Sequence, residues 1–213
     1  MRLLITLISI FFFCSINSQT AYLKTGFNTT TYDYKNSLGN LNDNVKSSNG
    51  VFFEMGYSFP LETSKRSRSF GRYSRLNFKT ALALNQYNAT GGNSIDNYEW
   101  DTKYLGLRTG LEYFVLGADL IALSLDGGLG FEFLLNGTQK IGGNNYNLKD
   151  SKEFNGLYIT PRVGLNLLFN FSNEVSLTVG HNFSKAISAS KSGEESVSFE
   201  NNQLNFGIII QIF

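Results

Sequence analysis

The sequence is short of the residues that build disulfide scaffolds, metal centres and many hydrolytic active sites. Its 213 residues include one cysteine, one histidine, one tryptophan and two prolines. One cysteine forms no intramolecular disulfide, and the chain has no His and Cys cluster with metal-ligand spacing. The charge is nearly balanced, with 18 Lys and Arg against 17 Asp and Glu, so the basic footprint of a nucleic-acid-binding protein is absent. We expect no cofactor, no metal and no nucleic-acid partner.

Long apolar runs are also missing, apart from one at the start of the chain. A short basic beginning precedes LLITLISIFFF, which is followed by Cys14 and the polar SINSQT. This order is typical of a secretory signal peptide, whereas a membrane-spanning helix needs about 20 apolar residues. We therefore predict a signal peptide over residues 1–18 and one mature domain over residues 19–213. A lipoprotein cysteine at Cys14 is the weaker alternative, because the bulky Phe13 precedes it.

Glycine, aromatic residues and a regular alternation are what the sequence has in abundance. It contains 21 glycines and 15% aromatic residues, a composition that favours a sheet-rich protein. Apolar and polar residues alternate over segments of about ten residues, which is the period of a strand with one apolar face. We count eight such segments, the first near residues 22–32 and the others at GVFFEMGYSF, RLNFKTALALNQ, YLGLRTGLEYFV, LIALSLDGGLGFEF, LYITPRVGLNLLF, VSLTVGHNF and LNFGIIIQIF.

The connections between these segments alternate between long and short. The links near 116–119 and 170–174 are tight, and the link near 61–72 is longer than the scheme requires. Polar stretches rich in Gly, Asn or Ser form long connections near 35–49, 88–97, 136–154 and 185–201. An even number of one-sided strands with alternating turn lengths is the signature of an outer-membrane barrel. We predict an all-β fold, an eight-stranded antiparallel up-and-down transmembrane β-barrel, whose last strand pairs with the first near Tyr22.

Charged residues occupy the polar face of the predicted strands. Seven of them share this face: Glu54, Lys79, Arg108, Glu112, Asp126, Glu132 and Arg162. Glycines recur beside them, as a narrow eight-stranded lumen requires. Because charges in a low-dielectric space must be partnered, we predict a structural charge network that closes the lumen. A gated pore or proton path is one alternative, and a periplasmic lipocalin-like ligand binder with inward apolar faces is another.

The leader, the strands GLEYFV and LYITPRVGLNLLF, and the terminal Phe213 together resemble a known family. It comprises the small outer-membrane β-barrel proteins of Bacteroidetes, called porin-family or outer-membrane β-barrel domain proteins, whose architecture is similar to the transmembrane domain of OmpA. The resemblance covers essentially the whole mature chain. It implies an outer-membrane location, contact with outer-membrane lipid and lipopolysaccharide, and recognition of the C-terminal strand by the barrel-insertion machinery. Phe213 departs from the family pattern, since it shares the parity of Gln211 and not that of the lipid-facing row.

One pair of residues invites an enzymatic interpretation. His181 and Ser184 in VGHNFSKA loosely resemble the His and Ser arrangement of outer-membrane lipid A deacylases. Residues three apart on a strand lie on opposite faces, and no carboxylate is placed to orient the histidine as nucleophilic catalysis requires. We therefore predict that the protein is not an enzyme.

Strand ends and connections carry the remaining features. Aromatic residues near strand ends predict interfacial girdles: Tyr32, Tyr57, Phe59, Tyr73, Trp100, Tyr113, Phe133, Phe169 and Phe183. The basic connection SKRSRSFGRYSR is expected to be a solvated turn, with lipid headgroup binding as its alternative. Any binding, including that of a protein partner, is assigned to the long loops. We predict a structural or surface-interaction protein; a narrow porin and an accessory barrel of a secretion or uptake complex are the alternatives.

Overall fold

The computed structural model describes residues 19–35, 40, 45–61, 73–92, 97–151, 154–189 and 196–212. The strands among these residues are β1 (Gln19–Lys35), β2 (Val45–Pro60), β3 (Leu76–Gly92), β4 (Asn97–Gly117), β5 (Ile121–Ile141), β6 (Asn144–Asn147), β7 (Leu157–Asn170), β8 (Val175–Ser188) and β9 (Ser196–Ile212), and a 3₁₀ helix lies at Leu148–Asp150. The predicted signal peptide, Phe213 and the basic residues Lys65 to Arg72 lie outside the described residues. Within the described part, no helix is long and apolar enough to cross a membrane.

Eight of the nine strands close into a ring. Every pairing is antiparallel, and each long strand pairs with its neighbours in sequence, with β5 pairing with β7 beyond the short β6. The ring is closed by β1 against β9, where Tyr22 lies opposite Ile209. The predicted eight-stranded antiparallel barrel is therefore confirmed. β9 pairs with β1 on one side and with β8 on the other, which leaves no open sheet edge.

The strands are longer than the alternation predicted, with 14 to 21 residues in the eight ring strands. Parts of the stretches at 35–49, 88–97, 136–154 and 185–201, all predicted as loops, are strand residues. The stretch 136–154 also contains β6, which folds back on the end of β5 through a turn at Gly142 and Gly143. Polar outward side chains made these stretches look like loop sequence, although their backbones continue the barrel wall.

The outer face changes character along the barrel axis. We call the part with the start of β1, the end of β9 and the tight links at 118–120 and 171–174 the turn half, and the opposite part the loop half. Outward side chains of the turn half are apolar and exposed, as Leu204 and Phe206 show on β9, whereas Asn202 begins the polar loop half. An exposed apolar belt of this kind is what a lipid-facing wall requires. It is the reverse of the lipocalin-like alternative, in which the apolar rows would face inward.

The interior of the loop half is apolar, opposite to its outer face. We call the cluster that fills it the loop-half core, and its members are Tyr32, Tyr87, Ala89, Trp100, Tyr104, Leu134, Leu148, Phe154, Tyr158, Ala186, Val197 and Phe199. The ring of Tyr32 lies 5.3 Å from that of Trp100 and 5.0 Å from that of Phe199. Leu148 and Phe154 follow β6 and fold into the barrel mouth. The predicted girdle was therefore wrong for Tyr32 and Trp100, which pack inside the barrel.

A smaller apolar cluster, the turn-end cluster, closes the other end of the lumen. It contains Tyr22, Tyr73, Ala81, Phe114, Ala122, Leu168 and Ile209. Tyr73, just before β3, stacks on Phe114 with ring centroids 4.4 Å apart and donates a hydrogen bond to Asn170 Oδ1 at 2.6 Å. Tyr73 is thus also an inward residue and not part of a girdle. Five predicted girdle residues do face outward: Tyr57, Tyr113, Phe133, Phe169 and Phe183.

Candidate functional site

The lumen between the loop-half core and the turn-end cluster is filled by charged side chains. All seven charged residues named from the sequence lie there: Glu54, Lys79, Arg108, Glu112, Asp126, Glu132 and Arg162. Glu132 is 0% exposed and Glu54 is 3% exposed. An eighth member, Lys24 on β1, was missed by the sequence reasoning and is also buried. With Lys24 included, four carboxylates face four cations, so the layer is neutral when every group is ionised.

Arg108 is the centre of the part of this layer nearest the loop-half core. Its guanidinium contacts the Glu54 carboxylate, donates to Asn85 Oδ1 at 2.8 Å and lies 3.7 Å from Glu132 Oε1. Asn85 in turn donates to Glu132 Oε2 at 2.9 Å. Arg162 Nη1 lies 3.3 Å from Glu54 Oε2. Each carboxylate is therefore held by a cation and a neighbouring donor or cation, the condition under which buried charges are tolerated.

Lys79 is the centre of the part nearest the turn-end cluster. Its ammonium group lies 3.3 Å from Glu112 Oε1 and 3.8 Å from Asp126 Oδ2. Asn166 extends the network, because its amide donates to Asp126 Oδ2 at 2.8 Å and accepts from Lys24 Nζ at 2.9 Å. These contacts join side chains from five strands, β1, β3, β4, β5 and β7, in one connected network.

Tyr22 is the member of the turn-end cluster that contacts the charged layer. The ammonium groups of Lys79 and Lys24 lie 4.8 Å and 5.6 Å from the centre of its ring. Both distances fall within the range of a cation–π contact. Lys24 could have been found from the sequence, since Tyr22, Lys24 and Gly26 alternate with the apolar residues of the first segment and so share the inward face.

Glycines beside the charges provide the room that the charges occupy. Gly106 on β4 lies opposite Glu132 on β5. A Cβ atom added to Gly106 would lie 2.7 Å from Glu132 Oε2, closer than non-bonded atoms approach. The recurrence of glycine on the charged face therefore reflects the narrowness of the lumen.

The lumen wall formed by β8 and β9 carries amides in place of charges. Asn182, Asn201, Gln203 and Asn205 are all buried there. Gln203 Nε2 donates to Asn85 Oδ1 at 3.3 Å, which links the amide wall to the charged wall. The lumen is therefore crossed by contacts from one side to the other.

His181 and Ser184 do not form a site. His181 lies on the outer face between Leu165 and Leu204, while Ser184 is buried in the lumen. The two side chains are on opposite sides of the barrel wall, as their spacing requires. In the described parts of the chain, no group of three or more His, Cys, Asp or Glu residues could hold a metal ion.

Comparison with known proteins identifies the fold. No protein-family model and no curated protein matches the sequence. Neisserial surface protein A matches with a TM-score of 0.50 and 14% identity over 91% of this chain and 97% of that chain. The outer membrane protein OprG from Pseudomonas aeruginosa matches with a TM-score of 0.50 and 10% identity over 91% of this chain and 96% of that chain. The outer membrane protease OmpT from Escherichia coli matches with a TM-score of 0.48 and 7% identity over 92% of this chain and 97% of that chain.

The first two likenesses agree with the ring of eight antiparallel strands described above. At these low identities they describe the fold alone. The chain therefore has the fold of small outer-membrane β-barrels.

Proposed function

We propose that this protein is an integral outer-membrane barrel without an open channel, with a structural or surface-interaction role. The proposal includes export by a signal peptide over residues 1–18 and a barrel domain over residues 19–213. The apolar outer face of the turn half supports membrane insertion, because only a closed barrel or a helix satisfies every backbone group in hydrocarbon. An origin in Bacteroidetes and membership of the porin family remain predictions from the sequence.

The filling of the lumen is the observation that carries the proposal of a closed channel. Three layers follow one another along the axis: the loop-half core, the neutral charged layer and the turn-end cluster. Glu132 and Tyr104 are fully buried, and Arg108 is 6% exposed. Eight-stranded barrels have interiors just wide enough for side chains to fill. The role of the charged layer is therefore structural in this proposal.

Planar-bilayer recording tests whether the lumen is closed. We expect the purified, refolded protein to give no resolved conductance steps, and an unboiled gel band that shifts on boiling would show that the barrel was folded. Reproducible small steps from folded protein would favour the narrow porin. Co-purification with a larger envelope assembly would favour an accessory barrel.

The polar outer face of the loop half supports a role in interaction. Thr29 Oγ1 donates to Asn49 Oδ1 at 3.0 Å, and Asn88 Nδ2 donates to the carbonyl oxygen of Asn49 at 2.8 Å. Gln86 Nε2 donates to Asp101 Oδ1 at 3.1 Å. Strands β1 to β4 thus form an ordered polar wall beyond the apolar belt. We propose that this wall contacts lipopolysaccharide and holds the loops that meet any protein partner.

Cysteine labelling on intact cells tests this orientation. A membrane-impermeant maleimide should label Asn88→Cys in the loop half but not Leu84→Cys, four residues away on the same outward face of β3. Labelling of neither variant in a folded protein would contradict the proposed exposure of the loop half. The C-terminal strand is proposed to be read by the barrel-insertion machinery.

No catalytic role is proposed for the chain. His181→Ala is expected to leave the acylation pattern of cellular lipid A unchanged, as measured by mass spectrometry. A change in acylation caused by this substitution would argue for an enzyme.

A further inference from the structure

An apolar groove interrupts the outer face of the turn half. It has a volume of about 410 Å³ and crosses β1, β2 and β3, with β4 and β9 at its edges. On either side of Tyr57 in the register lie two small outward residues, Ala21 and Thr80. Larger outward side chains, including Leu82 and Ile208, surround them. The depression therefore follows from small residues in a face that is otherwise lined by large ones.

The groove is cut into the barrel wall and is closed from the lumen side. Gly56 on β2 and Ala81 on β3 face each other at its floor. The ring of Tyr22 packs behind them, since a Cβ atom added to Gly56 would lie 2.7 Å from Tyr22 Cζ. An apolar occupant would thus meet an apolar floor and remain separated from the lysines on the other side of that ring.

A cation lies below the groove at the end of the same wall. Arg75 is exposed, its Nε donates to the Tyr113 hydroxyl at 2.7 Å, and its guanidinium lies 5.2 Å from the centre of the Tyr113 ring. Tyr113 fixes Arg75 on the outer face, where an interfacial tyrosine is favoured. Arg75 therefore presents positive charge where lipid headgroups meet the barrel.

The distance between Arg75 and the groove corresponds to the thickness of one membrane leaflet. Thr80 is five residues from Arg75, which corresponds to about 16 Å along a strand. With a strand tilt of about 40°, this is about 12 Å along the membrane normal, or half of an apolar band about 25 Å tall. A lipid with its phosphate beside Arg75 would therefore place the end of its acyl chain at the groove.

We propose that the groove binds one acyl chain of a glycerophospholipid from the leaflet at the turn end, with the lipid phosphate beside Arg75. The volume lies within the range of small-molecule sites, about 300–1,000 Å³, and the groove opens only toward the bilayer. A second copy of the chain fits less well, because a concave groove in a smooth wall offers no matching protrusion. Lipopolysaccharide is disfavoured, since its phosphates would lie at the level of the loop half and not beside Arg75.

Native mass spectrometry of the purified full-length protein tests this site. Dimyristoylphosphatidylglycerol is titrated into protein freed of lipid, and we expect one molecule to be retained at saturation. Ala21→Leu and Thr80→Leu fill the groove and should weaken retention by at least about tenfold, a loss of about 1.4 kcal/mol. Val163→Leu, an outward substitution on β7, is the matched control and should bind as the unaltered protein does. The boiling-dependent gel shift confirms that each variant is folded.

Two outcomes would overturn the proposal. Equal retention by Thr80→Leu and Val163→Leu would mean that lipid covers the barrel without a preferred site. Unchanged retention by Arg75→Gln, or equally tight binding of lipopolysaccharide, would contradict the assignment of the phosphate and the leaflet. Neither result depends on whether the lumen conducts, so the site and the proposed function can fail separately.

Discussion

The turn half and the loop half place opposite chemistry on the same two faces of one continuous wall. On β9 the outward residues change from Leu204 and Phe206 to Asn202 and Glu200, while the inward residues change from Asn205 to Phe199. No residue is inserted or removed between them, and the pairing of β9 with β1 is continuous. The turn half is built for a lipid surround, and the loop half is built like the core of a water-soluble protein.

The difference shows that the surroundings of each half determine which face of the wall is apolar. The strand period determines only that residues of the two faces alternate. An apolar surround offers little driving force for apolar packing inside the turn half, so charges in fixed geometry hold much of the lumen there, and the turn-end cluster closes its end. A polar, hydrated surround at the loop half restores the hydrophobic effect, and aromatic residues fill the interior. Each half should therefore respond differently to the same kind of substitution.

The largest effect is expected from breaking the charged layer of the lumen. Arg108→Leu leaves Glu54 and Glu132 buried without their main cation, which should lower the free energy of unfolding by about 3–5 kcal/mol. Urea unfolding in lipid vesicles, followed by the fluorescence of Trp100, measures the change. Adding Glu54→Gln to Arg108→Leu should recover part of the loss. A loss below about 1 kcal/mol would mean that the charges contribute little.

A pair of phenylalanines on β9 compares the interior of the loop half with the exterior of the turn half. Phe199 is 1% exposed and Phe206 is 42% exposed. Phe199→Ala should cost about 3–5 kcal/mol, because it leaves a cavity in a packed aromatic core. Phe206→Ala should cost about 1 kcal/mol or less, since lipid replaces the lost contact. The same urea titration measures both, and equal costs would contradict the assignment of the loop-half core.

A charge scan on the outward face of β9 locates the boundary between the halves. Ile208→Arg puts a charge in the middle of the outward apolar row of β9 and should cost about 2–4 kcal/mol. Asn202→Arg, six residues away on the same face, should change stability by about 0.5 kcal/mol or less. If both substitutions were tolerated equally, Ile208 would not lie within the apolar belt.

The smallest effect is expected at an ion pair on the outer face of the loop half. Lys185 Nζ lies 2.8 Å from Glu200 Oε1, and both side chains are more than two-fifths exposed. The hydrogen bond to Glu200, followed by the charge of that carboxylate, raises the pKa of Lys185 above its usual 10.5. Because the folded-state pKa is raised, the stabilisation is complete at neutral pH and is lost as pH rises through the folded pKa.

An NMR titration of the lysine side chains tests this last prediction. Glu200→Gln should return the pKa of Lys185 toward its usual value, and added salt should reduce the difference between the two proteins. A salt-independent pKa in the unaltered protein would indicate that the pair is more shielded than its exposure implies.

The fold and the charged face of the turn half could be predicted from the sequence because both depend on local alternation. The barrel follows from eight one-sided segments, and Arg108, Glu112 and Asp126 follow from their shared parity. Lys24 was missed because the faces of the first segment were not assigned. The pairing geometry around Arg108 depends on strand register, which alternation does not fix.

The loop half could not be predicted in the same way. Its residues alternate with the same period, but its apolar side chains face inward and its polar side chains face outward. Tyr32, Tyr87, Trp100 and Phe199 share the inward parity of the charged residues, but they lie in stretches whose other residues are polar. Aromatic residues near strand ends are expected at membrane interfaces, and this expectation assigned Tyr32 and Trp100 to the wrong face. On β4 the apolar residues stand at even positions up to Tyr104 and at odd positions from Leu105 to Tyr113. This change in the position of the apolar residues is the local signal that would have revealed the core.

The make-up of the loop-half core has a consequence for the order of assembly. Its residues come from β1, β3, β4, β5, β7, β8 and β9, and the contact between Tyr32 and Phe199 joins the first and last strands. The core therefore reaches its final packing only after β9 has met β1. Trp100, the single tryptophan of the chain, sits within that core, so its fluorescence should report the completion of the barrel and lag behind the formation of the strands themselves.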